Sequence, residues 1–125
     1  MKTKILLVDD EDDILELLKE WLMAEGFDVL LARNAEEFRE SALTQKPDVI
    51  ILDIMLGPEN GIHVYDGLLH QGLDRKTPVI FLTGLAHDRP ETHAVPGRTY
   101  ALRTKPFNPD EIVKDIRCLI NSQAA

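Results

Sequence analysis

Four apolar residues, Val49, Ile50, Ile51 and Leu52, run without a polar break into Asp53. A similar run, Ile5-Leu6-Leu7-Val8, ends in Asp9-Asp10. Val79-Ile80-Phe81-Leu82 ends in Thr83-Gly84, and Tyr100-Ala101-Leu102 leads towards Lys105. Carboxylates brought together from separate segments do not tolerate one another unaided. Two like charges about 4 Å apart repel by roughly 4 kcal/mol at an effective dielectric near 20. Such a group needs a cation, or one member takes up a proton. Lys105 supplies one positive charge. A hard divalent ion with oxygen ligands makes up the deficit, Mg²⁺ best, with Mn²⁺ able to substitute. A carboxylate flanked by a divalent ion and an ammonium suits phosphoryl transfer, because both cations neutralise charge on the transferring group. Asp53 can then act as the nucleophile and form an acyl phosphate. Thr83 can donate a hydrogen bond to that group. Gly84 leaves room for it and offers an unobstructed backbone N–H.

The elements that must position these residues follow from periodicity. Short apolar runs without alternation read as strands buried on both faces. The runs Ile5–Val8, Val49–Leu52 and Val79–Leu82 fit this, as does Asp28–Ala32; Tyr100–Leu102 is a weaker fifth strand. Ile14, Leu17, Leu18, Trp21 and Leu22 recur at helical spacing and predict a helix over Asp12–Ala24, stopped near Gly26. Asn34 with Glu37 resembles a capping box that opens a helix with Ala35, Phe38 and Ala42 inward, closed by Lys46-Pro47. Residues 57–61 read as a loop. The next helix carries Ile62, Tyr65, Leu68 and Leu69 on one face and ends at Gly72. Pro90 and Pro96 allow only a short or irregular fourth helix within residues 85–98, from Pro90 to Ala94. Asn108-Pro109-Asp110-Glu111 opens the last helix, which buries Ile112, Val113, Ile116, Leu119 and Ile120; Asn121–Ala125 reads as a polar tail.

Strands alternating with helices predict an α/β fold, a parallel sheet with right-handed crossovers and helices on both faces. The three most apolar strands belong in the centre, which gives the flavodoxin-like doubly wound five-stranded order 2-1-3-4-5. Sites in such sheets form at the carboxyl ends of the strands, and the residues named above fall on that one rim. The chain has 125 residues, 44% of them hydrophobic, and reads as one domain over residues 1–125. Its net charge of −8 argues against a nucleic-acid surface. No apolar run is long enough for a bilayer, and no cleavable signal peptide is visible. Cys118 is the one cysteine, so no internal disulfide is available and a reducing cytoplasm is the expected compartment. His63, His70, His87 and His93 read as surface residues. Asp12 and Asp13 read as acids favouring a helix N-terminus, and Glu11 stands between that role and the site.

The chain resembles the receiver domain of bacterial two-component response regulators, the CheY-like superfamily, over essentially its whole length. The matching residues are Leu7-Val8-Asp9-Asp10-Glu11, Leu52-Asp53-Ile54-Met55-Leu56 with Gly61, Leu82-Thr83-Gly84, and Thr104-Lys105-Pro106-Phe107. The resemblance implies that Asp53 takes a phosphoryl group from the phosphohistidine of a sensor histidine kinase or a phosphotransfer protein. It implies Mg²⁺ held by Asp10, Asp53 and the backbone carbonyl of Met55, with Asp9 acting through water. It implies Lys105 and Thr83 on the phosphoryl group and a cis Lys105-Pro106 bond. The implied product is a signalling switch with self-catalysed phosphorylation and dephosphorylation, not an enzyme in the usual sense. Homodimerisation through the fourth helix, fifth strand and fifth helix is a further expectation.

Three features depart from the family pattern. The position three before the site lysine, usually aromatic, is Leu102, with Tyr100 two residues earlier on the same strand face. The proline after Met55-Leu56 comes one place late, behind Gly57. Residues 85–98 leave little room for a regular helix. That last feature supports the alternative of a receiver-like interaction module that no longer depends on phosphorylation. A flavodoxin-like cofactor binder would need a Ser/Thr/Gly-rich loop where this chain has five acids, and a phosphatase of the Asp-x-Asp type would need an acid where Met55 stands.

Overall fold

The computed structural model describes residues 2–84 and 100–124. The apolar runs become β1 (Lys4–Val8), β3 (Val49–Asp53) and β6 (Val79–Thr83), and every side chain of β3 and β6 is buried. Flanking them are the less apolar β2 (Asp28–Ala32) and β7 (Tyr100–Thr104). The five pair in parallel in the order β2-β1-β3-β6-β7, the doubly wound order that the sequence predicts. Successive side chains alternate between faces. Leu6, Val8, Ile50, Leu52, Val79 and Phe81 point to one side, against α2 (Ala35–Thr44) and α3 (Gly61–His70). Ile5, Leu7, Val49, Ile51, Ile80 and Leu82 point to the other, against α1 (Asp12–Ala24) and α4 (Pro109–Ala124). Each fully buried aliphatic or aromatic side chain contributes about 1.5–3 kcal/mol. Tyr65 and Phe81 add an edge-to-face ring contact at 6.1 Å.

The helix signals act as their chemistry requires. Asn34 Oδ1 accepts from Glu37 N–H at 2.8 Å, while the Glu37 carboxylate accepts from Arg33 N–H, one residue before the usual capping-box partner. Asn108 Oδ1 accepts from Asp110 N–H at the start of α4. Gly26 takes φ +93° behind α1, and Lys46 takes φ +49° before Pro47. No helix among the described residues is long and apolar enough to cross a membrane.

Four details differ from the sequence reading. In α1 the buried stripe is Leu15, Leu18 and Leu22, whereas Leu17 and Trp21 are exposed; the helix carries two apolar stripes and only one meets the sheet. Residues 57–61 do not form a plain loop. β4 (Met55–Leu56) and β5 (Glu59–Asn60) pair as a small antiparallel hairpin around Gly57-Pro58, with Gly57 at φ +62°. The fifth strand continues to Thr104. Asn121 is no tail residue: α4 runs on to Ala124. The short helix expected at Pro90–Ala94 lies outside the described residues.

Candidate functional site

The carboxyl ends of β1, β3, β6 and β7 meet on one rim. Asp53 is the last residue of β3, and only 2% of it is exposed. Its Oδ1 accepts from Met55 N–H at 3.1 Å, and its Oδ2 lies 3.3 Å from Lys105 Nζ. Asp9 follows β1 and is equally buried. Its Oδ1 accepts from Glu11 N–H at 2.9 Å, and its backbone N–H is anchored on Ala32 O. Asp10 is exposed, and its Oδ2 accepts from Gly57 N–H at 3.0 Å. The extra glycine in the hairpin thus places a donor on Asp10.

Two glycine and asparagine positions fix the loop after Asp53. Gly61 N–H donates to Ile54 O at 2.7 Å, and a Cβ on Gly61 would lie 2.4 Å from Asp53 O. Only glycine permits that approach. Asn60 Oδ1 caps α3 by accepting from Ile62 and His63 N–H. The sequence reading missed this cap, although asparagine just ahead of a helical stripe was an available signal.

Thr83 ends β6, fully buried, one residue beyond Leu82, which pairs with Asp53 across the sheet. Its carbonyl accepts from Lys105 N–H at 2.7 Å, so β6 directly orients the lysine backbone. The Lys105-Pro106 bond is cis, as the resemblance implies. Lys105 Nζ then reaches three carboxylates: Asp9 Oδ2 at 3.0 Å, Glu11 Oε1 at 3.0 Å and Asp53 Oδ2 at 3.3 Å. The sequence left Glu11 undecided; the structure puts its side chain on the lysine and gives it no capping bond to α1.

The electrostatics follow from burial and crowding. Burial first, and then the charge of Asp9, push the Asp53 carboxyl up from 3.8 to about 7, while Lys105 and the Met55 N–H pull against the rise. Burial opposes the charge on Lys105, but the close carboxylates of Asp9, Glu11 and Asp53 outweigh it, so its pKa is raised. Asp9, Asp10, Glu11 and Asp53 each offer an oxygen within 4.8 Å of the others. Four formal negative charges against the one of Lys105 leave a deficit of cation. Asp9 Oδ2 is moreover buried with no aligned hydrogen bond, Lys105 meeting it by charge alone. An all-oxygen donor set with an underused buried carboxylate fits a hard divalent ion. The structure therefore brings Asp9, Asp10, Asp53 and Lys105 together and adds Glu11; Thr83 lies beside them on the neighbouring strand, and Met55 two residues after Asp53.

Comparison with known proteins agrees with this arrangement. The family model of the response regulator receiver domain matches residues 5–117. The alkaline phosphatase synthesis transcriptional regulatory protein PhoP of Bacillus subtilis is 36% identical over 120 residues, 96% of this chain and 49% of that protein. The chain thus spans about half the length of the curated relatives it matches. A receiver domain of the Francisella response regulator 1452 superposes with a TM-score of 0.85 at 27% identity, covering 98% of this chain and 99% of that one. The chemotaxis protein CheY4 of Vibrio cholerae gives 0.84 at 28% identity, over 95% and 99%. A match across nearly all of a chain whose own residues dictate this sheet order and this acidic rim has one reading: the chain belongs to the response regulator receiver domain family, whose work is two-component signalling.

Proposed function

We propose that residues 1–125 form one receiver unit whose Asp53 accepts a phosphoryl group from the phosphohistidine of a sensor histidine kinase or phosphotransfer protein. The observation that carries this reading is the nearly buried Asp53 carboxylate, flanked by Asp9 and 3.3 Å from Lys105 Nζ. Asp10, Asp53 and the Met55 carbonyl would hold Mg²⁺ directly, and Asp9 through water. When bound, the ion neutralises charge on the carboxylates and on the incoming phosphoryl oxygens.

This chain's own residues do the rest. An Asp53 oxygen attacks phosphorus, the P–N bond to the donor imidazole breaks, and a P–O bond forms as an acyl phosphate. The imidazole leaves with the electron pair of the broken bond and takes a proton from solvent. Lys105 holds negative charge on the phosphoryl oxygens, and the Thr83 hydroxyl donates to one of them. Gly61 keeps the backbone close against Asp53 so that the carboxylate stays in place. Hydrolysis by the same residues returns Asp53, and the two forms bias an interaction surface.

The unit acts in the cytoplasm on a protein partner. In a longer protein built on this receiver, transcriptional output of the kind that the relatives' names describe would sit outside residues 1–125. The expected lack of nucleic-acid contact applies to the receiver alone. Incubation with a small phosphodonor and Mg²⁺, followed by intact-mass measurement, tests the reading. The wild type gains one phosphoryl group; Asp53→Asn and chelator-treated samples gain none. An unmodified wild type would leave the phosphate-independent interaction module as the better description.

A further inference from the structure

An ammonium has three N–H donors. Those of Lys105 face three carboxylates, Asp9, Glu11 and Asp53, at 3.0, 3.0 and 3.3 Å. Glu11 and Asp53 accept from two of them, and Asp9 Oδ2 crowds the remaining approach by charge, so a phosphoryl oxygen meets Lys105 only in competition with a carboxylate. The three are not equivalent. Asp9 and Asp53 have nowhere to go: their side chains are 2% and 3% exposed, and each is also tied to a backbone N–H. The Glu11 side chain is 58% exposed, on a longer stem. Among the described residues, Lys105 is the only side-chain partner of its carboxylate. Glu11 can swing into water and be solvated at little loss, whereas a buried carboxylate cannot.

Resting on the phosphoacceptor reading above, we infer that Glu11 is a releasable latch on Lys105 that competes with the phosphoryl group for the ammonium and so weakens the phosphorylated state. Glu11 is a positioning residue acting through Lys105. A ligand that needs Lys105 must first break the Glu11 contact, and its apparent affinity falls by the strength of that contact. The fourth negative charge also repels the incoming anion. For a divalent cation the sign is opposite, since the same charge attracts it. Removing the Glu11 charge should therefore tighten anion binding while leaving cation binding equal or weaker. Loss of a structural or metal-ligating residue would weaken both.

The test uses beryllofluoride, a tetrahedral phosphoryl mimic, on the full chain at saturating Mg²⁺, read by the ¹⁹F resonance of the bound fluorides. Mg²⁺ affinity is measured separately by calorimetry. Glu11→Gln is expected to bind beryllofluoride about three- to tenfold more tightly than wild type, the range of a partly exposed ion pair. Its Mg²⁺ affinity should stay equal or fall. Glu11→Asp keeps the charge on a shorter stem and should fall between the two. The gain in Glu11→Gln should shrink as ionic strength rises. Unchanged or weaker beryllofluoride binding in Glu11→Gln, with wild type binding normally, overturns the latch and leaves the phosphoacceptor reading standing. No bound ¹⁹F signal in the wild type overturns both.

Discussion

Asp53 carries an electrostatic penalty before any ligand arrives. Its carboxyl is pushed up to about 7 by burial and by Asp9, against 3.8 in the free side chain. Between those values the folded chain binds a proton that the unfolded chain releases. This group's contribution is therefore fully present below about pH 4 and is lost as pH rises through 7. Asp53→Asn should accordingly stabilise the metal-free protein at pH 8, by about 1–3 kcal/mol after allowing for the lost Lys105 contact, and give little or no gain at pH 4. Thermal melts of both proteins in chelator at the two pH values check this; an equal gain at both would refute the burial and repulsion explanation. The placement of Asp9, Asp10, Asp53 and Thr83 on one rim was legible in the sequence, because each closes or directly follows an apolar run and parallel sheets collect such residues there; Lys105, just past the weaker fifth strand, falls on the same rim. Glu11 was not legible. An acid following Asp10 at a helix start has an adequate local reason to be there, and only the long-range contact with Lys105 distinguishes it.

Element by element, what the sequence hid is what depends on distant partners. The hairpin of β4 and β5 is two residues per strand, below the length at which alternation can be read. The choice between the two stripes of α1 is made by the sheet and not by the helix. Gly61 and Gly67 share α3 yet should answer oppositely to alanine. At Gly61 the new methyl would meet Asp53 O at 2.4 Å, and we expect a loss of about 1–3 kcal/mol together with weaker phosphorylation. At Gly67 nothing lies within 4 Å, so alanine should stabilise by about 0.5–1 kcal/mol. Denaturant titration of the two variants reads both signs. At the other end of the chain, Arg103 on β7 grips α4 through Asp115, at 2.6 and 2.8 Å, and through Glu111. Arg103→Met should cost about 1 kcal/mol, reduced from a buried pair by solvent, and should speed amide exchange in α4 more than in β1.

Across the whole molecule, two apolar layers hold a parallel sheet whose one rim is acidic, within a chain of net charge −8. The layers were readable from uninterrupted strands and helical periodicity. Residues 85–98, with Pro90 and Pro96, gave no regular pattern and fall outside the described residues. A rim that crowds four carboxylates together, three of them on one lysine, stores repulsion that a divalent ion relieves. Mg²⁺ should therefore raise the melting temperature of the wild type in a concentration-dependent manner, as expected for a ligand of the folded state. In Asp10→Ala that rise should be largely lost, while the melting temperature in chelator stays equal or increases. A rise of the same size in both proteins would place the ion elsewhere.

Trapping the modified residue tests the phosphoacceptor assignment most directly. Borohydride reduces an aspartyl phosphate to homoserine, so protein treated with phosphodonor and Mg²⁺ can be reduced, digested and sequenced by mass spectrometry. Homoserine at position 53 alone is the predicted result. Homoserine at another aspartate, or a phosphoryl group that survives on a side chain other than Asp53, would contradict it.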